Sequence, residues 1–152
     1  MKKLVIIIIT IFILNHCGYT PIYSSKEENF YIKEISQKNK SKLNSKIINN
    51  IKRFSNQDSE NVIQLEISSN KKINTITKDE KGDPSRFQMT VFLNINVLSK
   101  NNYEVNKTKN LNASFNYKNN SNKFSLKQYE KEIEDILINK IVEKSIIYLS
   151  EL

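Results

Sequence analysis

Residues 86–98 read RFQMTVFLNINVL. Phe87, Met89, Val91, Leu93, Ile95 and Val97 all fall on odd positions, six apolar side chains at a period of two. Arg86, Gln88, Thr90, Asn94 and Asn96 hold even positions, with Phe92 and Leu98 as exceptions. Side chains of a strand point alternately to opposite faces, so this pattern predicts a half-buried strand with one face on a core. A long strand of this kind needs paired neighbours and a cover for its apolar face.

The neighbours repeat the pattern. Upstream, Ile63, Leu65 and Ile67 alternate with Gln64, Glu66 and Ser68 in Val62–Thr77, and Ile73, Thr75 and Thr77 resume the odd face. Ser69–Lys72 between them is expected to be a bulge or a turn. Asp79–Ser85 carries Gly82 and Pro84 and predicts a turn. Downstream, Ser99–Asn102 predicts a hairpin loop, and Tyr103, Val105, Leu111, Ala113, Phe115 and Tyr117 are again odd, interrupted by Lys107 and Lys109.

Further out the period changes. Lys38–Phe54 carries Leu43, Ile47, Ile51 and Phe54 at spacings of four, four and three, one apolar stripe of an amphipathic helix. Phe30–Ser36 is aromatic and β-branched and predicts a further strand. After a loop at Asn119–Phe124, Ser125 with Gln128 forms the pattern of a capping box at the head of a helix of about 27 residues. Its apolar residues run from Leu126 through Tyr129, Ile133, Ile136, Leu137 and Ile141 to Leu152, and Ile138, Val142, Ile146 and Leu149 widen the face. A central core helix accounts for that width. The order strand, helix, three strands, helix predicts an α+β two-layer sandwich, a four-stranded, mainly antiparallel sheet with two helices on one face, occupying residues 29–152. The opposite face is expected to be polar and wet.

The N-terminus has a different character. Lys2 and Lys3 precede an apolar core, Leu4–Leu14, broken only by Thr10. Eleven helical residues cover about 16 Å, too little for a hydrocarbon layer of about 30 Å, and suit the apolar region of a secretory signal. The run ends at Leu14-Asn15-His16-Cys17-Gly18, which contains the chain's only Cys and only His. We expect a signal peptide over 1–16, a lipidated Cys17 and a tether over 17–28. Asn15 and His16 replace the small residues usual at such a cleavage site, and an uncleaved anchor with an incidental cysteine is the alternative.

Cleavage there would leave 136 of the 152 residues and, without Lys2 and Lys3, 22 basic against 16 acidic side chains, a net charge of +6. With His16 gone and Cys17 acylated, no Cys/His metal site, cysteine nucleophile or Ser-His-Asp triad can be assembled. Two glycines, Gly18 and Gly82, exclude glycine-rich phosphate loops. Acidic residues are scattered or lie along Glu130, Glu132, Glu134 and Asp135, the pattern of a solvated helix face. We therefore expect no enzyme, no cofactor and no metal. Lys, Asn and Ile have AT-rich codons, so genome composition accounts for part of the basic balance. Its functional reading is an anionic partner such as lipid phosphates; nucleic acid does not suit an exported, anchored chain.

Three segments carry a resemblance. Cys17-Gly18-Tyr19-Thr20-Pro21-Ile22-Tyr23 is similar to the CGFxPLY start of alphaproteobacterial members of the LPS-assembly lipoprotein family (LptE). Arg86-Phe87-Gln88-Met89 leading into the alternating strand, and Ser114-Phe115-Asn116-Tyr117 before the last helix, resemble the same family, as does the element order. The resemblance implies a lipoprotein on the periplasmic side of the outer membrane that plugs a large LPS-assembly β-barrel, supports its folding and helps deliver lipopolysaccharide to the outer leaflet. An amide-rich sheet face suits the polar lumen of a barrel. Lysines suit lipid A phosphates, and the loop candidates are Lys78, Lys81 and Arg86 around one turn and Lys123 and Lys127 around the start of the last helix. A lipid-anchored periplasmic module binding another envelope protein or the cell-wall polymer is the alternative.

Overall fold

The computed structural model describes residues 29–99 and 104–152. The signal segment, Cys17, the tether and Tyr103 lie outside the described residues. Six elements follow in the expected order: β1 Tyr31–Gln37, α1 Lys42–Lys52, β2 Val62–Lys78, β3 Pro84–Leu98, β4 Val105–Lys118 and α2 Lys123–Ser150. The four strands form one sheet in sequence order, with β2–β3 and β3–β4 antiparallel and β1 parallel to β2. The fold is thus an α+β two-layer arrangement with a mixed sheet.

The odd face of β3 is the centre of the core. Met89, Val91, Leu93, Ile95 and Val97 are buried, opposite Leu65 and Ile67 of β2 and Phe115 and Ala113 of β4, and the buried Tyr117 stands opposite Phe87. Over them α2 places Leu126, Ile133, Leu137, Ile138, Ile141, Val142, Ile146 and Leu149, and α1 places Ile47, Ile48 and Ile51. Among the described residues every buried core residue lies between Phe30 and Leu149, so residues 29–152 carry the whole of the described core.

Four local expectations are corrected. The helix expected over Lys38–Phe54 is confined to Lys42–Lys52. Ser41 is its N-cap, its Oγ accepting from the Asn44 amide at 3.0 Å. Residues 38 and 39 are committed elsewhere: the Lys38 amide donates to the Ile67 carbonyl, and Asn39 bonds both the N–H and the C=O of Ser69. Ser69–Lys72 is neither bulge nor turn, because each residue has a partner on β3. The register shifts instead lie between Thr75 and Lys78. The last helix is capped by Asn122, not Ser125. Asn122 Oδ1 accepts from the amides of Phe124 and Ser125, both at 3.1 Å, so Lys123 and Phe124 are helical. Finally, Ile73 does not rejoin the core; it is 40% exposed because no helix covers that part of β2.

The two lysines that interrupt β4 sit on the apolar face, and Lys109 stacks its ammonium 5.4 Å from the centre of the Tyr148 ring, which reconciles it with that position. The β2–β3 turn closes through Gly82 at φ 86, a left-handed conformation natural to glycine, with Asp79 Oδ1 accepting from the amides of Lys81 and Asp83.

Candidate functional site

The even face of the sheet is lined with amides and hydroxyls that pair across the strands. Asn94 Nδ2 donates to Asn110 Oδ1 at 2.8 Å and Gln88 Nε2 to Asn116 Oδ1 at 3.0 Å, each directly opposite its partner. Asn96 bridges three strands: its Nδ2 donates to Glu66 Oε2 on β2, and its Oδ1 accepts from Thr108 Oγ1 on β4, both at 2.9 Å. These pairs bury Asn96 and, nearby, Thr90, so the face expected to be wet is polar but partly self-covered. Phe92 is the one large apolar side chain of β3 exposed there.

Two loops meet at one end of the sheet. The Asn119 amide donates to the Ser85 carbonyl at 3.0 Å, and Asn119 Nδ2 donates to the Pro84 carbonyl at 2.7 Å, tying the approach to α2 to the base of the β2–β3 turn. Beside this knot a cleft of about 680 Å³ is lined by Arg86, Phe115, Tyr117, Lys118, Ser125 and Tyr129, among others. Arg86 and Lys118 face each other in register across β3 and β4. Like charges directly opposite destabilise a sheet, and among the described residues neither cation has an ion pair. On the other face of the same two strands Tyr117 lies 5.6 Å from Phe87 and packs edge-on to Tyr129 at 6.2 Å. Strand alternation puts Arg86 and Lys118 on the even face and Tyr117 on the odd face, and the cleft at the end of the sheet is lined from both. Cations and aromatic rings around one cleft fit an amphipathic anion, one with a charged head and an apolar body.

Tyr117 also anchors the helix. Its hydroxyl donates to Glu130 Oε1 at 2.7 Å. Burial, followed by that hydrogen bond and the carboxylate's charge, pushes the phenol well above the usual tyrosine range. The folded protein therefore holds this proton more tightly than the unfolded chain does. The stabilisation is complete below about pH 10 and disappears as the pH rises through the higher folded value. Tyr117→Phe is expected to cost about 1 kcal/mol near neutrality and to flatten the alkaline fall in stability, read by urea denaturation at a series of pH values.

Of the residues singled out from sequence, Arg86 is in the cleft. Lys78 and Lys81 flank the β2–β3 turn, exposed, with Asp79, Glu80 and Asp83 interleaved, so their positive field is offset locally. Lys123 and Lys127 are on the first turns of α2. Lys127 lies with Phe124, Gln128 and Lys131 along a different groove from the one holding Arg86. Cys17 lies outside the described residues. Sequence reasoning missed Lys118, Tyr117 and Tyr129 as lining residues. The signal that would have found Lys118 is strand register, since a short β3–β4 hairpin sets it opposite Arg86.

No protein-family model and no curated protein sequence matches the chain. Solved structures do. The rare lipoprotein B from Shewanella oneidensis is similar at 13% identity and a TM-score of 0.54, over 78% of this chain and 94% of that one. A minor lipoprotein from Acinetobacter baumannii reaches 0.62 at 8% identity, over 82% and 92%. An uncharacterized lipoprotein B from Nitrosomonas europaea reaches 0.61 at 11% identity, over 80% and 85%. At these identities the likeness is one of fold, and the fold is one that bacterial lipoproteins use.

Proposed function

We propose that the chain is a lipid-anchored envelope protein on the periplasmic side of the outer membrane, where it plugs and helps assemble a large LPS-assembly β-barrel and supports lipopolysaccharide delivery. The observation that carries this reading is the cleft lined by both the Arg86–Lys118 cation pair, without an ion pair among the described residues, and the rings of Tyr117 and Tyr129, beside a sheet face of paired amides. Lipid A offers phosphates to the cations and an apolar body to the rings of Tyr117 and Tyr129. The amide face suits contact with the polar interior of a barrel, where hydrogen-bonding groups meet water and polar side chains. The shared fold with bacterial lipoproteins and the Leu14–Gly18 segment support the anchor.

The test is capture from detergent-solubilised membranes of the native host. A large outer-membrane β-barrel is the expected partner, and its absence removes the plug. In a second arm, Arg86→Glu with Lys118→Glu is expected to weaken lipopolysaccharide binding by about tenfold or more, since two charge-assisted contacts become repulsive. Unchanged binding by the folded variant removes the cleft as the lipopolysaccharide site.

A further inference from the structure

The helix layer is incomplete. α1 has 11 residues and α2 has 28. Lys46, near the start of α1, bonds Asp135 at 2.8 Å, whereas Asn50 and Arg53 share a groove with Asn139, Val142, Glu143 and Ile146. The helices therefore run parallel, and the first three turns of α2 extend past the start of α1. Phe124, Lys131, Ile138 and Ser145 stand at seven-residue intervals along one side of α2. Ile138 and Ser145 are buried, while Phe124 and Lys131 are exposed.

The exposed portion has a definite chemistry. Phe124 is 77% exposed, the most exposed of the large apolar side chains among the described residues, and it shares a groove with Lys127, Gln128 and Lys131. Lys123, Lys127 and Lys131 recur every four residues, and none has an ion pair among the described residues. The acids that follow are engaged: Glu130 accepts from Tyr117, Glu134 pairs with Lys46 and Lys71, and Asp135 pairs with Lys46. Glu132 and Asp135 also line the groove, and among the described residues Glu132 has no such partner. The first turn has no acidic residue, although a helix N-terminus favours one and disfavours lysine. A lone exposed phenylalanine is unremarkable; one beside three lysines without ion pairs among the described residues, at a helix end that electrostatics would make acidic, is the pattern of an interfacial contact.

We infer that the first turns of α2 form a membrane-surface contact, in which Lys123, Lys127 and Lys131 meet the phosphates of an anionic phospholipid bilayer and Phe124 enters the head-group region. An apolar protein partner suits this face less well, because the lysines would be desolvated without counter-charges, whereas a lipid surface supplies phosphates at any spacing and leaves the ammonium groups hydrated. The inference does not depend on the barrel or on lipopolysaccharide, and its test contains neither.

The chain has no tryptophan, so Phe124→Trp introduces a single reporter. In residues 29–152 carrying that change, vesicles of equimolar phosphatidylcholine and phosphatidylglycerol are expected to shift the emission to the blue. Pure phosphatidylcholine is expected to leave it unchanged, and salt at about 0.5 M to weaken the response. In co-sedimentation of residues 29–152 without the reporter, the triple variant Lys123→Glu, Lys127→Glu, Lys131→Glu should bind the anionic vesicles at least about tenfold more weakly, and Phe124→Ser about fivefold more weakly. A triple reversal elsewhere, Lys33→Glu, Lys38→Glu, Lys52→Glu, has the same net charge and should bind more tightly than the α2 triple. Circular dichroism checks that each variant is folded. Equal losses in the two triples would reduce the effect to net charge and overturn the site. An equal blue shift with neutral vesicles, no shift at all, or a shift produced by self-association without lipid would each overturn it as well.

Discussion

Leu137→Ala is expected to lower the stability of the domain by about 3 kcal/mol and its melting temperature by about 10 °C. Leu137 is fully buried in the part of α2 that packs on β3, β4 and α1. Truncation removes its transfer free energy and leaves a void that two sheet strands and two helices must collapse to fill. Backbone hydrogen bonding resists such collapse, which places the cost in the middle of the range for leucine truncations. Its neighbour is the control. Ile136 is 43% exposed, and Ile136→Ala is expected to cost less than about 0.5 kcal/mol. Urea denaturation of both variants gives the comparison. Equal costs would mean that α2 does not seat with this side on the sheet.

Asn44→Asp is expected to be more damaging at neutral pH, by about 4 kcal/mol. Asn44 is fully buried beneath the start of α1. Its Nδ2 donates to the carbonyls of Asn39 at 2.9 Å and Ile67 at 3.3 Å, and its Oδ1 accepts from Ser69 Oγ at 3.1 Å. One amide thus joins the β1–α1 loop, α1 and β2. Aspartate would turn a carboxylate oxygen toward two carbonyl oxygens in a fully buried site. The folded protein would then favour the protonated acid, so the variant's carboxyl group titrates above its unfolded value of about 3.9. The sign follows: the variant is least stable above that raised value and recovers as the pH falls through it, because the protonated acid can again donate. Asn44→Ala, which carries no charge, is expected to cost about 2 kcal/mol with no such pH dependence. Denaturation of both variants at pH 4 and at pH 7 separates the two effects. A pH-independent loss in the aspartate variant would show that the carboxylate reaches solvent.

The sheet was largely legible because its rule is local. The odd positions of Phe87–Val97 identify the core face whatever the rest of the chain does, and Gly82 and Pro84 mark the turn beside it. The misread features are set by partners distant in sequence. Ser69–Lys72 is polar and resembles a break, yet β3 pairs with all four residues. Asn39 and Asn44 look like solvated loop and helix residues until β2 comes against them. Ser125 and Asn122 are both credible caps, and the choice falls to Asn122 because Asn119 fixes the loop against Ser85. The parallel pairing of β1 depends on a crossover through α1 that alternation in a single strand does not encode. The candidate site divides in the same way. Arg86 is visible as a cation at the head of an alternating strand, whereas Lys118 acquires meaning only from the residue across the ladder.

The direction in which the strands run sets a reach for the whole molecule. The chain enters at Phe30, whose carbonyl accepts from the Asn56 amide, beside the start of β2. The 17 residues of β2 then carry it about 55 Å to the turn at Asp79–Asp83. That turn, the Arg86–Lys118 pair and the first turns of α2 share the far pole. A hold on the chain before residue 29 is therefore a hold on one pole of a rod, with the proposed contacts at the other. The rod is longer than a hydrocarbon layer is thick, about 30 Å. On the proposed lipid anchor, contact of the basic pole with the anchoring membrane lays the rod along the surface; standing upright, it presents that pole to whatever lies beyond.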